Sequence, residues 1–404
     1  MLENQHLEDL HELFDLNHDN EGYYIGMMSG TSLDALDAVI CQFDEKSANK
    51  ISVIATHSYP FPPKLRQILL MLCTPNGIDE LQDDDYQGFS ELDFWGYGGV
   101  LYAQFAAQVV FELLEKSPIT ANDVIAIGCH GQTVRHRPQF GFSLQLLDPN
   151  ILAEKTKISV VSDFRRRDMA VGGQGAPLVP AFHQAIFGQN QSSDDYAQNT
   201  VQVVLNLGGI ANITVLGDAV LGYDTGVANL LLDGWANRHL GTPYDKNGDW
   251  AKSGAVSFAL LDRLMQHEFL SKSAPKSTGR EDFHLAWLDD ILIDFDISPQ
   301  DVQATLCEFT ALSASREIDK FTQKHNQLFV CGGGAYNVYL LQRLANLLPD
   351  WQVTTTDAKG LSPSWVEACA FAWLARQSIL MQAGNLPEVT GAASGVVLGQ
   401  VCFG

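Results

Sequence analysis

The chain lacks an uninterrupted apolar stretch long enough to span a bilayer, and it has no basic start followed by an apolar middle. Its opening, MLENQHLEDLHELFDLNHDN, is acidic, so neither a helical membrane anchor nor export is expected. It is poor in positive charge: 25 Lys and Arg against 48 Asp and Glu give a net charge of −23. Nucleic acids and anionic membranes are polyanions, so neither is an expected partner. No CxxC occurs among the seven cysteines, Cys41, Cys73, Cys129, Cys307, Cys331, Cys369 and Cys402, which are scattered and odd in number. Buried thiols in a reducing cytoplasm are expected, not a zinc site or a disulfide framework. The commoner nucleotide devices, GxxxxGK[ST] and a GxGxxG after a strand, are missing as well.

What is present is globular: 404 residues, 46% hydrophobic and 10% aromatic, enough for two ordinary domains. Leu2, Leu7, Leu10, Leu13 and Phe14 recur at helical spacing in an N-terminal appendage, 1–21. Strand-like runs follow at 23–28, 37–43 and 51–59, a helix at 92–116 stopped by Pro118, and strands at 124–129 and 158–161. The theme returns with strands at 201–207, 212–216 and 219–223, another at 328–331, and a helix at 365–382. Two strand-turn-strand-strand units about 180 residues apart predict a duplicated α/β fold with a cleft between its halves. The halves are placed at 22–200 and 201–404, with the last helix and tail packing back on the first.

Three turns that follow strands carry glycine: SGTS at 29–32, DTG at 224–226 and GGGAYN at 332–337. Glycine lets backbone amides approach a ligand closely, so such turns can present N–H groups to phosphate oxygens, although each alone reads more readily as a structural turn. DTG also marks aspartic proteases, but that site needs a second triplet and none occurs. Asp224 could otherwise cap a helix starting at Val227.

The segments IGMMSGTSLDALDAV, GCHGQTVRHRP, DFRRRDMAVGGQGAPLVPAFH, LNLGGIANIT, DTGVANLLLD, PKSTGREDF, CGGGAYN, EACAFAWLA and GNLPEVTGA together resemble the hexokinase–actin–chaperone superfamily of ATP-binding proteins. Within it they are similar to the anhydro-N-acetylmuramic acid kinases. The resemblance implies two actin/hexokinase-like, ribonuclease H-like domains, with ATP and Mg²⁺ bound by residues of both. The first phosphate loop would be Gly30, Thr31, Ser32, Leu33, Asp34, Ala35, Leu36 and Asp37. Asp224, Thr225 and Gly226 would form the second, with Gly208 and Gly209 nearby. Gly332, Gly333, Gly334 and Asn337 would flank the adenosine, and Asp224 and Asp34 would face the metal. Departures are Val227 and Ala228, where Pro and Gly are usual, and GAASGVVLG, where an Arg-Pro pair is usual.

Asp168 would be the general base, with Arg165, Arg166 and Arg167 before it keeping it charged. The implied reaction opens 1,6-anhydro-N-acetylmuramic acid with water and transfers the γ-phosphoryl of ATP to its 6-oxygen. Asp163 reads as a local partner of an arginine. Glu367, an acid in an otherwise apolar helix, is assigned to the sugar. His130, Arg137, Arg165 and Gln174 are placed there too, the arginines suiting a lactyl carboxylate. A cytoplasmic homodimer serving cell-wall recycling is the implied setting. The rivals are an actin- or chaperone-like ATP switch, which would not need Asp168, and a kinase of another sugar.

Overall fold

A computed structural model describes residues 22–30, 33–44, 50–74, 77, 86, 88–188, 199–217 and 219–404. The helix expected in segment 1–21 lies outside the described residues, as do Thr31 and Ser32. In chain order the strands are β1 Tyr23–Met28, β2 Ala35–Phe43, β3 Ile51–Pro60, β4 Val124–Cys129, β5 Gln132–Arg137, β6 Phe142–Leu146 and β7 Val160–Ser162. They continue as β8 Thr200–Leu207, β9 Ile210–Leu216, β10 Leu221–Val227, β11 His325–Cys331, β12 Gln352–Thr355 and β13 Gln400–Cys402.

By its contacts the chain divides into two units. One comprises the chain up to Arg167 with Ala368–Ala383 and Val397–Gly404; the other comprises Asp168–Glu367 with Gly384–Val396. The first crossing therefore falls after Arg167, where the sequence reading puts it after residue 200. The described residues after Arg167 are bonded within the second unit, through Gln174 N to Thr390 O, Ala393 N to Val171 O, and His183 Nδ1 with Thr214 Oγ1 of β9.

In the first unit the sheet order is β13-β7-β4-β1-β2-β3. β1, β2 and β3 form an antiparallel meander, β4 lies parallel to β1, and β7 parallel to β4. In the second unit the order is β10-β9-β8-β11-β12, again an antiparallel meander whose first strand pairs in parallel with a fourth, and that with a fifth. Strand order and direction repeat from one unit to the other, which is duplication expressed in topology.

The central strands read as apolar runs because both faces are covered, as parallel sheets require. VIAIGC of β4 and HNQLFVC of β11 are buried along most of their length, while β3 is half-exposed. The first core gathers Ile25, Met27, Ile127 and Val160 against Tyr102, Ala106 and Val110 of the helix Glu91–Glu115. That helix starts where Ser90 and Asp93 cap each other's backbone N–H, worth about 1 kcal/mol. The second core packs Val203, Leu205 and Val330 against Leu306, Phe309 and Ala314 of the helix Pro299–Ile318. Among the described residues no helix is long and apolar enough to cross a membrane.

Candidate active site

Asp168 lies in the short helix Phe164–Ala170 and is fully buried. Its Oδ1 accepts hydrogen bonds from Asn385 Nδ2 and Thr390 Oγ1, both at 2.7 Å, and its Oδ2 accepts one from Gly175 N at 2.8 Å. Asn385 is itself fixed, since its Oδ1 accepts from Val396 N and its Nδ2 also donates to Ser394 O. A Cβ on Gly173 would lie 2.1 Å from Asp168 Oδ2, so only glycine lets this loop close over the carboxylate. Gln174 anchors the loop by its main chain, through the bond to Thr390 O, and leaves its side chain exposed.

The expectation that three arginines keep Asp168 charged is corrected by where they go. Arg165 donates to His130 Nε2 from Nε at 3.1 Å and NH2 at 2.9 Å. Arg166 pairs with Asp163, as the local reading of that acid expected, and Arg167 is exposed. Asn385 and Thr390, which do hold Asp168, are more than 200 residues away. Their only sequence signal is that Asn385 and Thr390 both stand in the short GNLPEVTGA segment.

A second cluster surrounds the β8–β9 turn. The carbonyl of Gly208 accepts from Asn229 N, and that of Gly209 from Ala228 N and Leu230 N, so the turn is docked on the first turn of the helix Asn229–Leu240. Asn229 Nδ2 adds a bond to Leu207 O. Gly332 has φ +79°, and a Cβ there would lie 2.5 Å from Asn206 Oδ1 and 2.8 Å from Leu207 O, so it brings Gly332–Gly334 against the end of β8. Asn337 closes that turn by capping the helix Val338–Leu347 through Leu340 N. Glu367 Oε1 accepts from Asn206 Nδ2 at 3.4 Å, which places this acid beside the glycine turns.

Asp224 and Thr225 stand inside β10 and not after it, with a register shift between Asp224 and Gly226. Thr225 is fully buried and donates to Ala211 O. Asp224 caps no helix: the N-cap is Ala228, without a side-chain bond. Its Oδ2 accepts from Ser277 Oγ and Thr278 N, each at 2.9 Å, and its Oδ1 has no bond among the described residues. Burial raises its pKa, opposed by the Thr278 and Ser277 bonds, with Glu281 adding to the rise.

In the first unit Leu33 takes a left-handed φ of 57° as the chain leaves the β1–β2 turn, its N–H donating to Gly30 O. Arg66 Nε donates to Leu33 O at 2.9 Å, and the guanidinium lies 3.7 Å from an exposed Asp34. Ala35, Leu36 and Asp37 belong to β2, and Leu36 is a fully buried core residue whose side chain is closed to a ligand. Asp37, raised in pKa by burial, is bonded to Ser58 of β3. Ser29, at the other end of the turn, donates to Gln132 Oε1 at 2.8 Å.

His130 follows β4. Its Nδ1 bonds Gly131 O at 2.7 Å, its Nε2 receives Arg165, and its ring lies 4.7 Å from that of Phe371. Burial and then Arg165 push its pKa well below the usual value, so it is a neutral acceptor that aims the guanidinium. His136, on β5, is pushed down to about 4 by burial, then by Arg165 and Arg137. Those two arginines therefore make one positive region around His136. Arg137 is steadied by its bond to His136 O.

Among the described residues no three His, Cys, Asp or Glu side chains converge as a metal cage. The free oxygen of Asp224 suits a hard cation that takes most of its ligands from phosphate and water, as Mg²⁺ does. Asp34, turned to Arg66, fits that role less well. The cysteines are free thiols, five of them buried.

A model of the anhydro-N-acetylmuramic acid kinase family matches residues 22–404. The chain is 56% identical over 413 residues to an anhydro-N-acetylmuramic acid kinase of Psychrobacter cryohalolentis, covering 95% of each chain. It is 47% identical over 394 residues to one of Acinetobacter baylyi, covering 94% of this chain and 98% of that one. Among solved structures it is similar, at TM-score 0.39 and 15% identity over 88% of this chain and 100% of the other, to a ROK family glucokinase from Streptomyces griseus in complex with glucose and AMPPNP. The family match spans both units and every motif described above, and the chain belongs to the anhydro-N-acetylmuramic acid kinase family.

Proposed function

We propose that the chain converts 1,6-anhydro-N-acetylmuramic acid, water and ATP into N-acetylmuramic acid 6-phosphate and ADP, with Asp168 as the base. The observation that carries this reading is the Asp168 cage. A carboxylate offers about four lone-pair sites, and the three bonds from Asn385, Thr390 and Gly175 leave one, on Oδ2. That site takes a proton from water as the water oxygen bonds to the anomeric carbon. The bond from that carbon to O6 breaks, O6 bonds to the γ-phosphorus, and the bond from phosphorus to ADP breaks. Because Asp168 is fully buried, the reading requires the 172–175 loop to shift and admit water, which its glycines make inexpensive.

In this reading Arg137 and Arg165 take the lactyl carboxylate, with Arg165 aimed by His130 and with Gln174 reaching the sugar. The Gly30–Leu33, Gly208–Gly209 and Gly332–Gly334 turns serve ATP, for which alignment and charge neutralisation are the main needs. Glu367, beside Asn206 and the glycine turns, belongs with the phosphates more than with the sugar to which its helix setting alone assigned it. Asp224 would hold Mg²⁺, which supplies neutralisation of phosphate charge. Seven free thiols support a cytoplasmic enzyme, and by family the setting is cell-wall recycling as a homodimer.

The test is an ATP-dependent assay on 1,6-anhydro-N-acetylmuramic acid in oxygen-18 water, beside Asp168→Asn. A phosphorylated product carrying one solvent oxygen, absent with the variant, is the expected result. ATP hydrolysis without sugar turnover would overturn the reading in favour of a switch.

A further inference from the structure

We infer that Glu317 and Lys276 form a buried clamp that positions Asp224. Both side chains are almost fully buried, 7% and 2% exposed, with Lys276 Nζ 2.8 Å from Glu317 Oε1. Lys276 Nζ also donates to Leu270 O and lies 4.9 Å over the Phe269 ring. Taking such a pair out of water costs as much as the attraction returns, and apolar side chains would hold the helix Pro299–Ile318 at least as well. The use of the pair is therefore in what it places.

Glu317 grips the chain on both sides of Asp224. Its Oε2 accepts from Tyr223 OH at 3.1 Å, and Tyr223 is the residue just before Asp224. Its Oε1 holds Lys276, whose own carbonyl accepts the Asp224 N–H at 3.0 Å. The next two residues, Ser277 and Thr278, make the two bonds to Asp224 Oδ2. One carboxylate on the helix thus sets the register between β10 and the 276–278 segment, and that register decides which Asp224 oxygen is occupied and which stays open. Thr278 is braced from the far side by its hydroxyl bond to Asp282 Oδ2 at 2.6 Å, and Lys320 completes the coordination of Glu317. Glu281 is the charged side chain whose field reaches Asp224.

The clamp rests on the reading that the open oxygen of Asp224 faces Mg²⁺ and phosphate. Glu317 and Lys276 touch no ligand in it and act through Asp224 alone.

The experiment compares Lys276→Met, Glu317→Gln and the charge-free pair Lys276→Met/Glu317→Met with the parent enzyme. Three readouts are used: amide exchange over residues 276–282, affinity for ADP with Mg²⁺ by calorimetry, and the KM for ATP beside the KM for the sugar. The charge-free pair removes the clamp without leaving a lone buried charge, so it keeps its fold where a single variant fails. Exchange over 276–282 is expected to quicken and ADP affinity to weaken. With its donors loosened the open oxygen of Asp224 is no longer held in one place, so the KM for ATP rises while the KM for the sugar stays. A KM for ATP raised about tenfold, with the KM for the sugar changed about threefold or less, is expected. Unchanged exchange and an unmoved KM for ATP in the charge-free pair would overturn the clamp, whatever happens to its melting temperature. Asp224→Asn separates the two claims: if it keeps full activity and ADP affinity, the role of Asp224 fails, while quickened exchange in the clamp variants would still show the register being held.

Discussion

The two sheets share an order and differ at their strand ends. In the first unit six residues separate β1 from β2, and the described ones at either end are held by side chains: Arg66 on Leu33 O and Gln132 on Ser29. In the second unit the β8–β9 turn is two glycines whose carbonyls are taken by the start of a helix. The fourth strands diverge in the same way. β4 runs into His130 and a polar hairpin that gathers Arg137 and Arg165, whereas β11 runs into three glycines. One scaffold thus presents cations by side-chain bonding in one copy and bare backbone with carboxylates in the other. Duplicated topology fixes where strands end, and the residues after those ends decide which charge is shown.

The largest break of that comparison should come from the second unit. Asp168→Asn is expected to lower kcat about a thousandfold, within the range for a lost general base, with ADP affinity retained. Activity and calorimetry on one preparation check it. Gly332→Ala comes next, since it forces a Cβ at positive φ against Leu207 O and Asn206 Oδ1. Strain of about 1–3 kcal/mol predicts a KM for ATP raised roughly tenfold or more, with the KM for sugar little changed. Arg165→Met in the first unit should do the reverse, raising the sugar KM about tenfold through loss of a charge-assisted bond and leaving the KM for ATP alone. If both variants moved the same KM, the division of labour between the copies would be wrong.

Much of the scaffold was legible because it is written in local pattern. The meander strands, the long helix stopped before Pro118 and the repeat of the strand theme all follow from apolar runs and turn residues. What was not legible is set by distance in the chain. Arg165–Arg167 stand beside Asp168 in sequence, yet one arginine turns to His130, 35 residues back, and another to Asp163. The groups that do hold Asp168 come from Asn385 and Thr390, and no periodicity links residues so far apart. Glu367 shows the same limit. Its burden as an acid in an apolar helix was readable, but its partner Asn206, 161 residues away, was not. Asp224 was misread in a different way: DTG looks like a turn, and pairing with β9 keeps it in a strand.

The smallest expected effect is a titration, and it tests whether the positive region of the first unit is a binding site. His136 and His183 are both depressed, to about 4 and about 3, but for different reasons. His183 in the second unit is lowered by burial alone, while His136 is lowered by burial and then by Arg165 and Arg137. An anion seated on those arginines should therefore raise the pKa of His136 and leave His183 unmoved. For both groups the folded pKa lies below the unfolded value near 6.5, so the folded state binds fewer protons. Their contribution to stability is present above pH 6.5 and is lost as pH falls toward the folded value. Sugar binding that raises the His136 pKa narrows that window, so the gain in melting temperature on adding the sugar should grow between about pH 6 and pH 4.5 in the parent enzyme. In His136→Gln that growth should shrink. Histidine ring resonances followed with and without the sugar give the direct check: His136 moving upward with His183 fixed assigns the anion to the first unit, and both moving together would dissolve the contrast between the copies.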